Sequence, residues 1–250
     1  MKRFAIICKT EFLLFLRDFF GFFFTLVFPV LMLLLFGGIY GNAPFYPGGE
    51  VGMMDISVPA YAVMVIGVTG LMAFPLTLAE CREKKIYKRY DATPVGKRQI
   101  MTAQAAVNVI MTFIGIVILL IAGILLYHIQ IKGSVPAVCV SFAVSILAMF
   151  SMGFLFTAIG RDAKITNLLC YLCYFVMLFL SGATIPDMLF PKTVKTIAGF
   201  LPMTHAVDLM QGIFAGDSLM QHGKELLILG IVTLVFSAAG AILYRRKDWA

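Results

Sequence analysis

The sequence predicts an all-α polytopic membrane protein with six transmembrane helices. Six stretches of nineteen or more residues contain no Asp, Glu, Lys or Arg: 19–49, 56–79, 99–131, 133–160, 165–186 and 226–244. An uncharged, mostly apolar run of about 18 residues is long enough to cross the hydrocarbon layer as a helix. The composition agrees, because 61% of the residues are hydrophobic, whereas about 45–50% is usual in soluble domains.

The spans are predicted within a single membrane domain that covers residues 1–250. Their expected limits are 20–40, 57–79, 104–127, 136–159, 165–185 and 226–244. Pro29, Pro59 and Pro75 lie in or beside the first two spans. A kinked helix is tolerated in lipid when its neighbours satisfy the carbonyls that proline frees.

Residues 1–18 predict an amphipathic helix at the membrane interface rather than a cleaved signal. No apolar run follows the first charges at the distance that a signal peptide requires. Apolar and basic side chains would occupy opposite faces of the helix. The two sets are Phe4, Cys8, Phe12 and Phe15 against Lys2, Arg3, Lys9 and Arg17.

The basic residues predict the orientation. Six spans place both chain ends on one side, and that side receives sixteen of the 20 Lys and Arg residues. Positive charge marks the cytoplasmic side, so we expect a bacterial cytoplasmic-membrane protein with both termini in the cytoplasm. The net charge of +7 is explained by these flanking residues and does not indicate nucleic-acid binding.

The segment 80–101 between the second and third spans is longer and more charged than a simple connection needs. Residues 81–91 can form a helix parallel to the membrane, ended by the sequence before Pro94, since the residue preceding proline avoids helical geometry. Two interpretations stay open. The segment sets topology beside anionic lipid, or it is a docking surface for a cytoplasmic protein.

The segment 186–225 precedes the last span and contains two apolar pieces, 193–201 and 203–215, broken by Pro and Gly. Each is too short to cross the membrane, so they predict re-entrant or interfacial helices on the outer side. His205 and Asp208 are three residues apart and can share a helix face.

Polar groups within the spans are few, and no acidic or basic residue lies near a span midpoint. Gln104 and Asn108 begin the third span, and Thr166 and Asn167 begin the fifth. Ion-coupled carriers usually need an intramembrane ionisable group to carry the coupling charge. Its absence indicates that another component supplies the energy. Five cysteines give no even disulfide framework.

The layout resembles the permease subunit of an ABC-2 type ABC transporter, of the drug- and antibiotic-exporting (type V exporter) kind. The segment Glu83-Lys-Lys-Ile-Tyr-Lys-Arg-Tyr-Asp-Ala-Thr-Pro-Val95 is similar to that family's E-K-x-G-T-x-E-x-L-x-x-T-P-[IVL] pattern. Three further segments match in order: Ser181-Gly with Ile185-Pro186, Leu201-Pro-Met-Thr-His-Ala206, and Tyr244-Arg-Arg-Lys-Asp-Trp249.

The chain departs from the family pattern within the charged segment. Ile86-Tyr87 stands where Gly-Thr is usual, Lys88 replaces an acid, and Tyr90-Asp91 replaces an apolar pair. These changes predict a more basic docking surface and a partner with a more acidic groove.

The resemblance implies a half-transporter. A second permease copy or a paralogue would complete the membrane part, with membrane lipid around it, and two copies of a cytoplasmic ABC ATPase would bind ATP and Mg. No cofactor, metal or catalytic residue is expected on this chain, because the G-x-x-x-x-G-K-[ST] phosphate loop is missing.

The resemblance also implies site residues. Docking to the ATPase would involve Arg82, Glu83, Lys84, Lys85, Tyr87, Lys88, Arg89, Tyr90, Asp91, Pro94 and Arg98. The extracytoplasmic gate would involve Pro186, Pro202, His205 and Asp208. A lateral substrate path would pass Phe28, Met64, Asn167 and Tyr171.

We expect an amphipathic or lipid-like cargo, such as a drug, a peptide antibiotic or a lipid, and therefore a role in export and antibiotic resistance. The alternatives are an ion-coupled carrier or channel, a structural assembly factor, and an intramembrane hydrolase. The hydrolase would use Ser181 as nucleophile and His205 as base.

Overall fold

The computed structural model describes residues 2–44, 51–91, 96–184 and 190–246, without the side chains of residues 2, 3, 90, 91, 245 and 246. Within these ranges the chain forms ten helices and no strand. They are α1 (Lys2–Arg17), α2 (Phe19–Tyr40), α3 (Met53–Glu83), α4 (Ile86–Asp91), α5 (Gly96–Tyr127), α6 (Val135–Ile159), α7 (Ala163–Leu180), α8 (Lys192–Ala198), α9 (Pro202–Ala215) and α10 (Gly223–Arg246).

Six of these helices are long and apolar enough to cross a membrane, which confirms the predicted fold class. They are α2, α3, α5, α6, α7 and α10. The limits of three spans differ by four residues or more. The second span begins at Met53 rather than 57, and the third begins at Gly96 rather than 104. The second span continues to Glu83, so residues 81–83 end α3 and the separate helix of the charged segment starts only at Ile86. The fifth ends at Leu180 rather than 185, because Gly182 adopts a left-handed φ of 81°.

Helix α3 is the centre of the bundle. It packs against α2, α5, α6, α7 and α9, and nearly every side chain from Val58 to Pro75 is buried. A helix that is apolar around its whole circumference is expected in such a position. The remaining spans each leave one broad apolar face outward, where lipid or another protein can cover it.

Two prolines in the spans follow π-helical turns, Phe23–Val27 before Pro29 and Thr69–Ala73 before Pro75. In α3 the Phe74 N–H bonds to the carbonyl five residues back, that of Thr69. Continuing that register would require an N–H from residue 75, which proline lacks. The Gly70 carbonyl instead faces Gly153 of α6, so closely that a Cβ on Gly153 would overlap the oxygen.

Helices α8 and α9 occupy the segment for which the sequence predicts re-entrant or interfacial helices. Gln211 near the end of α9 donates to the Ile56 carbonyl at 3.2 Å, whereas Met203 near its beginning contacts α3 beside Gly67. Ile56 and Gly67 lie about 16 Å apart along α3. Helix α9 therefore begins in the interior of the bundle and runs toward the end of the bundle at which α3 begins.

The basic segments lie together at one end of the bundle, which we call the basic end. The Glu83 carboxylate of α3 bonds to the Ala163 N–H that begins α7. Tyr244, in the last turns of α10, donates to the Met101 sulfur at 3.1 Å, and α1 packs along the start of α5. At the opposite end the Asp55 carboxylate accepts N–H groups from Gly52 and Gln130.

We expect Gly153→Ala to destabilise the protein by about 1–3 kcal/mol, as overpacking of a close contact does. The added methyl would push α6 away from the rigid Gly70 carbonyl. Gly230→Ala in α10 is the matched control, because a Cβ there meets no atom within 4 Å. Thermal unfolding in detergent measures both, and equal midpoints would contradict this account of the crossing.

Candidate functional site at the basic end

The charged segment forms a short helix between two long ones. After α3 ends, Lys84 and Lys85 make a turn in which Lys85 has a φ of 54°, and α4 follows. The described part resumes at Gly96, the first residue of α5. Pro94 lies outside the described residues, as do the side chains of Tyr90 and Asp91.

Two predicted docking residues bond to the connection between α6 and α7. The Arg82 guanidinium donates from Nη1 and Nη2 to the carbonyls of Thr157 and Gly160, both at 2.7 Å. The Glu83 carboxylate accepts the Ala163 N–H at 2.9 Å. Both side chains satisfy backbone groups that helix ends leave unpaired, so they hold the α6–α7 connection.

A third predicted docking residue, Tyr87, is buried. Its hydroxyl donates to Gln104 Oε1 at 2.8 Å. The Gln104 amide nitrogen in turn donates to Glu11 Oε1 at 3.2 Å and contacts the Cys81 sulfur at 3.1 Å. One amide of α5 therefore joins α1, the end of α3 and α4.

Burial changes the acid–base behaviour of two members of this cluster. Desolvation raises the pKa of Tyr87, which stays a neutral hydrogen-bond donor. Burial also raises the pKa of Glu11, while the hydrogen bond from Gln104 acts in the opposite direction. Sequence reasoning noted Gln104 as a polar group in a span but not its partner Glu11. The signal in the sequence is an amide within an otherwise apolar span, since a buried amide needs hydrogen-bond partners.

Polar contacts continue from this cluster along α5. The Asn108 amide donates to the Gln104 carbonyl at 2.9 Å. The Thr112 hydroxyl lies 2.8 Å from the Asn108 carbonyl and 2.6 Å from the Thr69 hydroxyl. Thr69 begins the π-helical turn of α3. Contiguous contacts thus connect α4 with the interior of the central helix.

The remaining predicted docking side chains are exposed cations. Lys85, Lys88, Arg89 and Arg98 face outward. Lys84 is exposed too and pairs with Glu80 at 2.7 Å, a hydrogen bond that raises the pKa of Lys84. Helix α4 consequently has one face fixed by Tyr87 and another that presents Lys88 and Arg89 to solvent.

The structure describes three of the predicted gate residues, all on α9. His205 is buried, and its Nε2 lies 3.0 Å from the Gly199 carbonyl in the turn between α8 and α9. Asp208, three residues further along α9, is exposed. Pro202 is the first residue of α9, where its missing N–H removes no helical bond, and Pro186 lies outside the described residues.

The predicted substrate-path residues occupy different environments. Met64 is wholly buried in α3, so it lies on no lateral face of the bundle. Phe28 is half-buried and packs on Phe24 with ring centroids 5.2 Å apart. Tyr171 lines a small crevice beside Phe20 at the start of α2. Asn167, one turn before Tyr171, has a buried side-chain oxygen with no partner among the described residues.

The geometry disfavours two alternatives. A serine hydrolase needs its nucleophile bonded to a base, but the buried Ser181 hydroxyl has no hydrogen-bond partner in the described part of the chain. An ion-coupled carrier needs an ionisable group inside the membrane. Across the described side chains no Asp, Glu, Lys or Arg is fully buried, and the buried His205 lies in α9 against the Gly199 carbonyl.

Comparison with known proteins gives the family. The ABC-2 type transporter family matches residues 2–215, which is most of the chain. The chain belongs to this family.

Curated relatives of the chain include two named proteins. Nodulation protein J of Rhizobium leguminosarum bv. viciae is 32% identical over 105 residues, or 42% of this chain and 40% of that protein. Inner membrane transport permease YhhJ of Escherichia coli (strain K12) is 31% identical over 159 residues, or 60% of this chain and 41% of that protein. The chain therefore spans about two fifths of the relatives that it matches.

We expect Tyr87→Phe in this ABC-2 family member to lower the free energy of unfolding by about 1–3 kcal/mol, because it leaves the buried Gln104 oxygen without its donor. Tyr40→Phe is the matched control, since Tyr40 is 54% exposed. Thermal unfolding in detergent checks the pair. A Tyr87→Phe variant as stable as Tyr40→Phe would show that the cluster contributes nothing to stability.

Proposed function

We propose that this chain is the membrane-spanning permease half of an ATP-driven exporter. Two permeases, identical or paralogous, would pair with two copies of a cytoplasmic ABC ATPase. Membership of the ABC-2 type transporter family supports this proposal, as do the six helices that can span a membrane.

ATP and Mg would be bound by the partner rather than by this chain. A phosphate loop needs Gly-Lys followed by Ser or Thr, whereas Gly96-Lys97 is followed by Arg98. The energy for transport would then enter through a protein contact at the basic end.

The observation that carries the proposal is the two-faced character of α4. Tyr87 fixes one face to Gln104, while Lys88 and Arg89 stand exposed. Such a helix could be displaced by a bound ATPase while its Tyr87 side chain keeps it attached to the bundle. Its exposed cations suit a groove lined with acidic residues, since opposite charges steer and align two protein surfaces.

A displacement of α4 would be transmitted along α5 to the part of α3 inside the membrane. The contacts from Tyr87 through Gln104 and Asn108 end at Thr69 and Thr112, beside the π-helical turn of α3. π-helical turns occur frequently at functional sites. At this turn the next backbone hydrogen bond of the helix cannot form, because residue 75 is a proline and has no N–H. We expect α3 to bend there during the transport cycle.

The outer gate would involve α9, because this helix packs against both α3 and α6. His205 would hold the α8–α9 turn through its contact with Gly199. A shift of α3 would therefore displace α9 directly.

An amphipathic or lipid-like cargo, such as a drug, a peptide antibiotic or a lipid, agrees with the apolar surface near α2. Phe19 and Phe20 are largely exposed at the start of that helix. A cargo taken laterally from the membrane would meet these aromatic side chains first. Such transport would confer resistance where the cargo is an antibiotic.

We expect Lys88→Glu combined with Arg89→Glu to abolish transport and to weaken ATPase binding at least tenfold. Repulsion would replace attraction at the contact, while the buried Tyr87 bond would keep the fold intact. The measurements are co-purification with a co-expressed ABC ATPase subunit, ATP hydrolysis by the complex, and thermal unfolding of the variant.

Lys192→Glu with Lys224→Glu is the matched control, because both lysines are exposed cations outside the basic end. It should retain ATPase binding. Full transport by the Lys88/Arg89 variant, in a complex of normal composition, would refute docking through α4.

The proposed orientation has its own test. Green fluorescent protein joined after residue 250 should fluoresce, and alkaline phosphatase joined there should be inactive, because the positive-inside rule places the basic end in the cytoplasm. The reverse pattern would place the basic end outside and exclude docking of a cytoplasmic ATPase there.

A further inference from the structure

The turn between α3 and α4 contains an unfavourable backbone conformation. Lys85 has a φ of 54°, which lies in the left-handed region that glycine adopts readily and other residues do not. Among the described residues, only His128 also combines a positive φ with a side chain. Glycine at position 85 would relieve the strain, so the lysine side chain lowers the stability of the turn.

Backbone hydrogen bonds hold Lys85 in this turn. Its N–H donates to the Arg82 carbonyl at 3.0 Å, and its carbonyl accepts the Arg89 N–H at 3.3 Å. The first bond closes the end of α3, and the second begins the hydrogen bonding of α4. Positions 85 and 89 are therefore one helical turn apart, and side chains at positions 85, 88 and 89 share one face of α4.

This face carries three cations. Lys85, Lys88 and Arg89 are all exposed, and within the described part of the chain none of their side chains forms an ion pair. Like charges three and four residues apart destabilise a helix. The cation at position 85 is thus unfavourable for the isolated chain in two ways, through its backbone and through its charge.

The neighbouring acids are engaged elsewhere. The Glu80 carboxylate pairs with Lys84 at 2.7 Å, and the Glu83 carboxylate accepts the Ala163 N–H at 2.9 Å. Neither of them neutralises the three-cation face. Residues that break local folding rules without compensation inside the fold are concentrated at functional sites.

A protein partner in water fits this face better than a membrane surface. A helix that lies on a membrane places apolar side chains among the lipids beside its cations. Among the described side chains of α4, Lys88 and Arg89 are the exposed ones, whereas Tyr87 is buried and Ile86 is half-buried. Clustered carboxylates on a protein surface complement such a face.

We propose that Lys85 is a specificity-determining residue for an acidic protein surface, and that its strained turn directs the cation to the face formed with Lys88 and Arg89. This inference rests on the proposed docking of an ABC ATPase at the basic end. The docking surface of that partner carries clustered Asp or Glu side chains. Stability lost in the turn is offset by the contact that the third cation makes.

The test uses the full chain in detergent, alone and with a co-expressed ABC ATPase subunit. We expect Lys85→Gly to raise the unfolding midpoint of the chain alone by about 2–4 °C, because glycine relieves the strain. The same variant should bind the ATPase about fivefold more weakly, because one charge pair is lost. Lys85→Arg keeps the charge and should retain binding, which a purely structural role of residue 85 would not predict.

His128→Gly is the matched control. His128 is exposed, has a φ of 51° and lies in the α5–α6 connection at the other end of the bundle. This variant should raise the unfolding midpoint by a similar amount and leave ATPase binding unchanged.

Two results would overturn the inference. One is a Lys85→Gly variant that binds the ATPase as tightly as the unaltered chain, whatever its stability. The other is an unfolding midpoint of Lys85→Gly at or below that of the unaltered chain, because the turn would then not be strained.

The double variant Lys88→Glu with Arg89→Glu separates this inference from the proposed function. Weaker ATPase binding by the double variant, together with unchanged binding by Lys85→Gly, would leave docking through α4 intact and overturn only the role of Lys85. Unchanged binding in both variants would overturn both.

Nanodiscs distinguish a protein partner from a membrane partner. We expect the difference in unfolding midpoint between phosphatidylglycerol and phosphatidylcholine nanodiscs to be the same for Lys85→Gly as for the unaltered chain. A stabilisation by phosphatidylglycerol that Lys85→Gly abolishes would assign the cation to anionic lipid and overturn the protein partner.

Discussion

The hydrogen bonds of one buried amide, that of Gln104, hold the basic end of this protein together. Its oxygen accepts from Tyr87 and its nitrogen donates to Glu11, so three separate chain segments meet at one side chain of α5. Helix α4 has only six residues and is too short to be stable alone, so the bond to the amide fixes its position. Helix α1 is held both by this amide and by the packing of Phe15 with Val107 and Met111.

The central helix supplies a second constraint. Helix α3 is enclosed by its neighbours, and its backbone cannot form a regular ladder through Pro75. The π-helical turn and the contact between Gly70 and Gly153 accommodate this irregularity inside protein rather than in lipid, where unpaired backbone groups are not tolerated. The most enclosed helix of the bundle thus has an irregular hydrogen-bond pattern near its middle.

These two features explain which side chains of the charged segment remain exposed. Arg82 and Glu83 bond to backbone groups of the α6–α7 connection, and the Tyr87 hydroxyl bonds to Gln104. The side chains of Lys88 and Arg89 remain exposed to solvent.

The sequence alone determined the number of spans, the presence of two short helices before the last span and the family resemblance. These follow from where charges are excluded and from ordered motifs, and both are local properties of the chain. The direction of each side chain was decided only by tertiary structure. Arg82 and Lys88 look equivalent as basic residues of one loop, yet one bonds backbone carbonyls of α6 and the other faces solvent. Met64 likewise has a typical span sequence around it but lies wholly buried, because burial depends on which helices surround α3, and no local pattern encodes that.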